Sequence, residues 1–481
     1  MNNPMVKKVI KTFIISTISF IFSFNIFAQE AAKDIFAWRR QQLLDKMEDG
    51  VAVLTSSTTS VSNTPSDYVF RPDNDFYYLT GFDEPNSAIL LIPGEEKQFI
   101  MFVQPQNPAM ATWVGKRSGI EGAMNIYGAD TAYSIREFEE ILIKIIQDKK
   151  KLWYSTRNTN LKDILNPFIN NHPGSEILEI SDPLAFIHEM RLFKSEEEID
   201  LLRKAIDITC DSHIEAMKVT VPGMFEYEVE AVIEYIYRKN GGRGPGFPSI
   251  VGSGPNSTVL HHEKNDRKTV DGDMMVMDIG CEYGYYTADI TRTIPVNGKF
   301  SKEQKEIYKL VLQAQEAAIE VLKPGYGMHE GHIEAAKVIK RGLYKLGLMT
   351  DTTSSWQERL FVLYNSSHWL GLHVHDVGRY GRENGKGRPL EPGMVLTIEP
   401  GIYINIDMLD NLSSARRYIP QDELTEFINK VSPLFEKYNH IGVRIEDDIL
   451  ITEEGNEVLS AKAPKTISEI EETMSLESSF K

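Results

Sequence analysis

Two nine-residue segments of this chain follow the same pattern, and this repeat constrains the fold more than any other feature of the sequence. Residues 272–280 (GDMMVMDIG) align without a gap on residues 393–401 (GMVLTIEPG), and both fit G-x5-[DE]-x-G. Each is an apolar run bounded by glycine, which predicts a strand. A chance likeness between two strands rich in Met and Val is the alternative. If the repeat is real, a pseudo-twofold axis would bring Asp278 and Glu399 together.

The order of the predicted elements favours an α+β fold. Up to about residue 183 the pattern is mixed α/β, with short apolar runs typical of strands and an amphipathic helix over residues 134–151. From residue 194 onward, helices alternate with largely antiparallel strands, which argues against a doubly wound parallel sheet. We therefore predict an N-terminal domain over residues 30–185, a second domain over residues 190–465 and a solvated C-terminal helix or tail over residues 466–481.

Charge and cysteine content exclude two classes of protein. The chain carries 69 acidic and 52 basic residues, a net charge of −17, whereas nucleic-acid partners are bound by basic surfaces. The only two cysteines, Cys210 and Cys281, are too few for a disulfide framework and lack the spacing of a thiolate zinc site.

The N-terminus has the pattern of an export signal. Three lysines among the first eleven residues precede an uncharged run over residues 12–28, which ends on Ala28 before a polar stretch. This pattern predicts a signal peptide, residues 1–28, with a membrane anchor as the alternative because the run is nearly long enough to span a bilayer. No later stretch is apolar enough to span. We therefore expect a secreted or periplasmic protein without a membrane after cleavage.

Two carboxylates are predicted to face each other on one hairpin. A two-residue turn at residues 283–284 would place Asp278 directly opposite Asp289, with Cβ atoms ~5 Å apart, where like charges repel. A shared proton, as in an aspartic dyad, is one solution, but the Asp-Thr-Gly or Asp-Ser-Gly elements of that family are absent. A divalent metal is the other, and it predicts further ligands.

Candidate ligands occur in three later segments. They are His368, His373 and His375 in SHWLGLHVHDVG, Glu399 in LTIEPG and Glu446 in VRIEDD. One histidine with four carboxylates suits Mn²⁺, or Zn²⁺ or Co²⁺ by availability, and carries enough charge for two divalent ions. Two ions roughly 3.5–4 Å apart can hold a bridging hydroxide and polarise a carbonyl, which is hydrolytic chemistry.

Five segments resemble, in order, the signatures of aminopeptidase P and prolidase, the dimetal pita-bread peptidases. They are VMDIG, TADITRT, SHWLGLHVHDVG, LTIEPG and GVRIEDD, within residues 194–451. The resemblance implies that residues 190–465 form a pita-bread catalytic domain. It also implies ligand roles: Asp278 binds one metal, Asp289 and Glu446 bridge both, and His368 and Glu399 bind the other. Glu399 is further implied as the proton acceptor from the bridging water.

The same resemblance implies residues that assist the metals. His261 and His375 match the histidines that contact the substrate carbonyl, and the choice of His261 over His262 rests on motif alignment. Arg444 and Tyr403 fall where side chains support the metal carboxylates.

The N-terminal part resembles the aminopeptidase P N-domain. Residues 68–91 (YVFRPDNDFYYLTGFDEPNSAILL) carry this likeness. It implies that Trp113, in TWVGKR, offers an aromatic ring to the substrate, whereas a core position is the alternative. Two departures from the family pattern stand out. His373 replaces the usual Asp, so a wall or surface position is expected. The 46 residues between Glu399 and Glu446 are more than aminopeptidase P usually has there, and prolidases carry an insertion of comparable length.

Together with the export signal, the resemblance implies an exported dimetal exopeptidase that removes the residue preceding proline at the second position of a peptide. The residue spacing alone indicates only metal-assisted amide hydrolysis. We expect two Mn²⁺ ions, with Zn²⁺ or Co²⁺ as alternatives, peptide substrates, and a homodimer or homotetramer. A prolidase restricted to Xaa-Pro dipeptides is the nearest rival. A binding module without activity and a metal-free, creatinase-like amidinohydrolase are disfavoured because all five ligand positions are filled.

Overall fold

The computed structural model describes most of the chain and divides it after Met190. The described residues are 35–59, 61–63, 66–67, 69–170, 179–381, 385–414 and 419–480. Met190 ends the first compact unit and Arg191 begins the second. The predicted signal peptide lies outside the described residues. Every helix of the described part is too short or too polar to cross a membrane.

The N-terminal unit is built on a mixed sheet whose described strands run in the order β6-β5-β4-β1-β7-β8. The central strands β1, β4 and β5 are buried almost throughout, as expected for strands covered on both faces. The strands are β1 (Val51–Thr55), β2 (Val61–Asn63), β3 (Ser66–Asp67), β4 (Ala88–Leu91), β5 (Phe99–Val103), β6 (Thr131–Ser134), β7 (Lys151–Trp153) and β8 (Glu179–Ser181). The helices are α1 (35–47), α2 (Asn74–Thr80), α3 (Pro108–Val114), α4 (Gly119–Asn125), α5 (Phe138–Ile146), α6 (Thr159–Asn170) and α7 (Leu184–Leu192), which contains the division between the units.

The C-terminal unit consists of helices around antiparallel strand pairs, as the sequence predicted. Its strands are β9 (Gly244–Pro245), β10 (Ile250–Ser253), β11 (Met274–Ile279), β12 (Cys281–Tyr283), β13 (Tyr286–Thr287), β14 (Ile290–Pro295), β15 (Val395–Ile398), β16 (Gly401–Ile404), β17 (Ile441–Arg444), β18 (Asp447–Ile451) and β19 (Asn456–Val458). Its helices are α8 (Glu196–Val219), α9 (Glu226–Lys239), α10 (Lys302–Glu320), α11 (Glu330–Leu346), α12 (Ser355–Phe361), α13 (Asp407–Ser414), α14 (Gln421–Lys437) and α15 (Ile467–Met474).

The repeat seen in the sequence is also present in the backbone. Gly272 and Gly393 both adopt a left-handed conformation, with φ of +87° and +86°, which glycine adopts without steric cost. Two residues after each glycine a buried strand begins, β11 in one half and β15 in the other. Each strand pairs antiparallel with a later one, β14 or β18. Asp278 and Glu399 therefore occupy equivalent positions.

The predicted hairpin register is wrong by two residues. The turn lies at residues 284–285, where both φ values are positive, as in a type I′ turn, and not at residues 283–284. Asp278 consequently pairs with Thr291 rather than with Asp289. Because side chains alternate faces with a period of two, Asp289 still lies on the same face as Asp278.

Two late segments contribute to the core of the C-terminal unit. Between Glu399 and Glu446, α14 buries an apolar stripe formed by Leu424, Phe427, Val431 and Phe435. The Phe427 ring lies edge-on to Trp356, with ring centroids 4.9 Å apart. The prediction of a solvated C-terminal helix is wrong in part, because Ile470 of α15 is fully buried in the same core.

Candidate metal centre

Four of the five predicted metal ligands lie at or beside the ends of the repeated strands or of the strands that pair with them, and the fifth lies in a loop. Asp278 is in β11, Asp289 directly precedes β14, Glu399 directly follows β15, and Glu446 lies between β17 and β18. His368 belongs to the loop whose next residue, Trp369, bridges to β15. The repeat thus gathers ligands from segments far apart in the chain.

The structure brings His368 and three carboxylates together in a buried cluster. His368 Nε2 lies 3.3 Å from Asp289 Oδ2, 3.6 Å from Glu399 Oε1 and 4.0 Å from Glu446 Oε1. One ligand atom each from Asp289, His368 and Glu446 lies within 4.8 Å of the others, which is compatible with a shared cation.

The cluster has more negative charge than its surroundings neutralise. Burial, and then the charges of Glu446 and Asp278, raise the pKa of Asp289 well above its usual value. Burial, and then the charges of Glu399 and Asp278, also raise the pKa of Glu446 well above its usual value. Burial raises the pKa of Glu399 to about 8 despite Arg444. These carboxylates can all ionise at neutral pH only if positive charge is added.

Two further observations fit a divalent cation. The buried atoms Asp278 Oδ1 and Asp289 Oδ1 have no hydrogen-bond partner among the described residues, which is costly for a carboxylate unless it binds a cation. Burial, and then His375, lower the pKa of His368 to about 4, so its imidazole is neutral. Its Nδ1 lies 3.1 Å from the Trp369 carbonyl oxygen. Donation to that oxygen leaves the Nε2 lone pair facing the acids.

Arg444 links two of the predicted ligands, Asp278 directly and Glu446 through a bridging hydroxyl. Its guanidinium lies 2.5 Å from Asp278 Oδ2 and donates to the Tyr403 hydroxyl at 2.8 Å. Its Nε donates to Thr291 Oγ1 at 3.1 Å, and this hydroxyl donates to Glu446 Oε2 at 2.7 Å. The sequence reasoning missed Thr291. The correct hairpin register would have found it, because Thr291 pairs with Asp278.

Tyr403 belongs to a second chain of hydrogen bonds. Its hydroxyl lies 2.8 Å from the Tyr364 hydroxyl, which donates to the Glu399 carbonyl oxygen at 3.0 Å. Tyr364 was also missed, and no local signal marks it, because the contact joins a loop to the end of β15. Arg444 and Tyr403 thus hold the backbone or side chains of three predicted ligands.

The three histidines near the cluster have different environments. The His375 ring centroid lies 4.1 Å from that of His368, and burial, followed by His261, lowers the pKa of His375. His261 is exposed, whereas the His262 ring is largely buried and its Nε2 lies 3.0 Å from Glu226 Oε2. Of the two adjacent histidines, only His261 therefore has its ring available to a ligand.

Two other predicted residues lie on surfaces. His373 has a side chain 49% exposed, with Nδ1 3.2 Å from Arg191 Nη2. This geometry agrees with the expected wall or surface position rather than with a metal ligand. Trp113 is 82% exposed, so a core position is excluded, and its contact with substrate stays a prediction.

Comparison with known proteins points to one family. Residues 200–453 match the model of metallopeptidase family M24, and residues 36–154 match that of the aminopeptidase P N-terminal domain. An Xaa-Pro aminopeptidase of Haemophilus influenzae is 41% identical over 448 residues, which cover 92% of this chain and 97% of that protein. The Xaa-Pro aminopeptidase of Escherichia coli is 37% identical over 459 residues, covering 92% and 98%.

A solved structure agrees with these relatives. Aminopeptidase PepP of Pseudomonas aeruginosa superposes with a TM-score of 0.82 at 38% identity, covering 92% of this chain and 98% of that chain. The resemblance and the α+β fold with a pita-bread catalytic domain, both predicted from the sequence, are confirmed. This chain therefore belongs to metallopeptidase family M24, with the N-terminal domain of aminopeptidase P, and is a hydrolase.

Proposed function

We propose that this protein releases the N-terminal residue from peptides that carry proline at the second position. The observation that carries the proposal is the buried cluster of Asp289, His368 and Glu446, whose ligand atoms converge beside Asp278 and Glu399. The relatives called Xaa-Pro aminopeptidase support the same substrate class. An Xaa-Pro bond is a tertiary amide without an N–H, so proteases that require this donor cut it poorly.

The ligand set fits two divalent cations, and we propose Mn²⁺. The residues that would hold them are Asp278, Asp289, His368, Glu399 and Glu446. Carboxylate oxygens with one imidazole form a hard donor set that Mn²⁺ accepts, and Zn²⁺ or Co²⁺ can replace it. Such ions, when bound, polarise the scissile carbonyl and make a water molecule more acidic.

Side chains of the protein carry out the proton transfer, bind the carbonyl oxygen and orient the carboxylates. Glu399 takes the proton from the attacking water, because its carboxylate lies beside the cluster, with Oε1 3.6 Å from His368 Nε2. We assign to His261 and His375 the donation of hydrogen bonds to the carbonyl oxygen as its negative charge develops. The His375 ring, 4.1 Å from that of His368, supports this assignment. Arg444 and Tyr403 keep the carboxylates oriented.

A comparison of three peptides tests the proposal. Protein loaded with Mn²⁺ is expected to cleave an Xaa-Pro-Yaa tripeptide and to leave the matched Xaa-Ala-Yaa peptide largely intact, as followed by chromatography of the released residue. Cleavage of the Xaa-Pro dipeptide alone would identify a prolidase. If neither proline peptide is cleaved, the proposed function is wrong.

The metal and the assembly are measured on the same sample. Elemental analysis of protein purified without chelators is expected to find two divalent ions per chain, whereas a metal-free result would favour a binding module. Sedimentation is expected to show a homodimer or homotetramer.

We also propose that the protein is exported to the periplasm or beyond. The lysine-flanked uncharged run over residues 12–28 supports this. N-terminal sequencing of protein from the exported fraction should begin at Gln29. Protein that keeps residues 1–28 and sediments with membranes would instead indicate an anchor.

A further inference from the structure

A buried carboxylate outside the metal cluster organises the loop that carries His261. Glu226, the first residue of α9, is fully buried. Its carboxylate accepts hydrogen bonds from the backbone N–H of Ser253 at 2.6 Å and of Arg267 at 3.0 Å. The Asn256 amide donates to it at 3.1 Å, and His262 Nε2 lies 3.0 Å away. Glu226 thus binds both ends of the segment 253–267, which contains the His261 loop, and also residues within it.

His261 lies between two anchored neighbours. On its C-terminal side, His262 binds Glu226. On its N-terminal side, the Leu260 carbonyl oxygen accepts from both terminal nitrogens of Arg444, at 3.5 and 3.4 Å. Because Arg444 also holds Asp278, the backbone before His261 is tied to the predicted metal ligands and the backbone after it to Glu226.

The same loop is packed tightly against β17. The Ser257 hydroxyl accepts from the Gly442 N–H at 3.0 Å, and a Cβ on Gly442 would lie only 1.9 Å from the Ser257 carbonyl oxygen. The loop therefore has little room to shift. The exposed ring of His261 has no hydrogen-bond partner among the described residues, although the backbone on both sides is fixed.

We propose that His262 and Glu226 are positioning residues that hold the His261 ring in place for the substrate carbonyl. This inference rests on the proposed function, since it assigns His262 a role through His261. The two adjacent histidines then have different roles, because His261 contacts the substrate and His262 fixes its orientation. A misplacement of about 1 Å in such a group can cost 10²-fold in rate.

A double-mutant cycle tests the proposal. H262A is expected to lower kcat by about 10- to 100-fold with a smaller change in KM, because a contact that strengthens in the transition state is misplaced. In the H261A background the same change should cost less than about 2-fold, since the group it positions is already absent. H262Q, whose amide nitrogen can still donate to Glu226, should recover most of the activity lost in H262A.

Two controls keep the result interpretable. Metal content and the thermal midpoint of H262A should stay close to those of the wild type. Amide exchange over residues 256–262 should accelerate in H262A but not in H262Q, with or without substrate. If the wild type cleaves no proline peptide, the proposed function fails while the exchange measurement still tests the anchor. Equal losses from H262A in both backgrounds, or unchanged exchange, would overturn the positioning role.

Discussion

Replacing Glu446 by glutamine is expected to reduce kcat/KM for an Xaa-Pro-Yaa peptide by about a thousandfold, because a metal ion supplies several kcal/mol of transition-state stabilisation. The same change should make the metal-free protein more stable. Burial and the neighbouring acids raise the pKa of Glu446 well above its usual value. The carboxylate is therefore harder to ionise in the folded than in the unfolded protein, and it costs stability once the pH exceeds its unfolded pKa. At neutral pH the neutral amide removes that cost.

The two effects are measured on the same preparations. Thermal unfolding in excess chelator should show E446Q melting above the wild type, and saturating Mn²⁺ should reverse the order, because a ligand bound only by the folded state stabilises it by mass action. The matched control is E457Q, on neighbouring β19, where Glu457 forms a half-exposed ion pair with Arg203. This variant should keep its activity and lose at most about 1 kcal/mol. If E446Q melts at a lower temperature than the wild type in excess chelator, the electrostatic account of the cluster is wrong.

The sequence was sufficient for the fold and for the cluster, but not for the contacts that orient it. The repeated G-x5-[DE]-x-G segments predicted equivalent positions for Asp278 and Glu399, and both glycines have the same backbone conformation. The hairpin register was missed because Tyr285 adopts a positive φ, which tyrosine rarely does. Thr291 escaped notice for that reason.

Other contacts could not be predicted because they join distant parts of the chain. Glu226 and His262 are 36 residues apart, and Tyr364 and Tyr403 are 39 apart. A single sequence gives no sign of such pairs. By contrast, the start of α8 depends on a local contact, because Ser195 and Glu198, three residues apart, form the capping box that begins the helix.

Two neighbouring acids in the C-terminal unit differ in how far the protein itself neutralises them. Glu446 and Asp447 are adjacent and both buried. Burial alone would raise the pKa of Asp447, but Arg292 and Lys465 lie beside it and hold that pKa far below its usual value. Near Glu446, Arg444 does not outweigh burial and the other acids. The protein thus neutralises Asp447 with its own side chains, whereas the internal cations near Glu446 do not suffice, as expected for the proposed metal ligand.

Asp376, like Asp447, is a buried carboxylate neutralised by side chains of the protein itself. Replacing it by alanine is expected to lower the free energy of unfolding by about 3–5 kcal/mol. Its carboxylate lies 2.5 Å from Arg191 Nη2 and 3.4 Å from Lys194 Nζ, and all three side chains are buried. Without Asp376 both cations stay buried and lose the carboxylate that lies between them. Burial already lowers the pKa of Lys194, so this group can escape part of the cost by losing its proton. Arg191 cannot lower the cost in this way, because a guanidinium is not deprotonated in proteins.

Denaturant unfolding of D376A measures this loss, and its pH dependence has a defined sign. Burial would raise the pKa of Asp376, but Arg191 and Lys194 outweigh it and hold the pKa well below its usual value. Its stabilising effect is therefore present above the unfolded pKa of about 3.9 and declines as the pH falls below it. The difference between wild type and D376A should be largest near pH 7 and smaller at pH 3. D207A, which breaks a half-exposed pair with Lys462, should cost at most about 1 kcal/mol. A loss in D376A no larger than that in D207A would show that Asp376 does not neutralise the two buried cations.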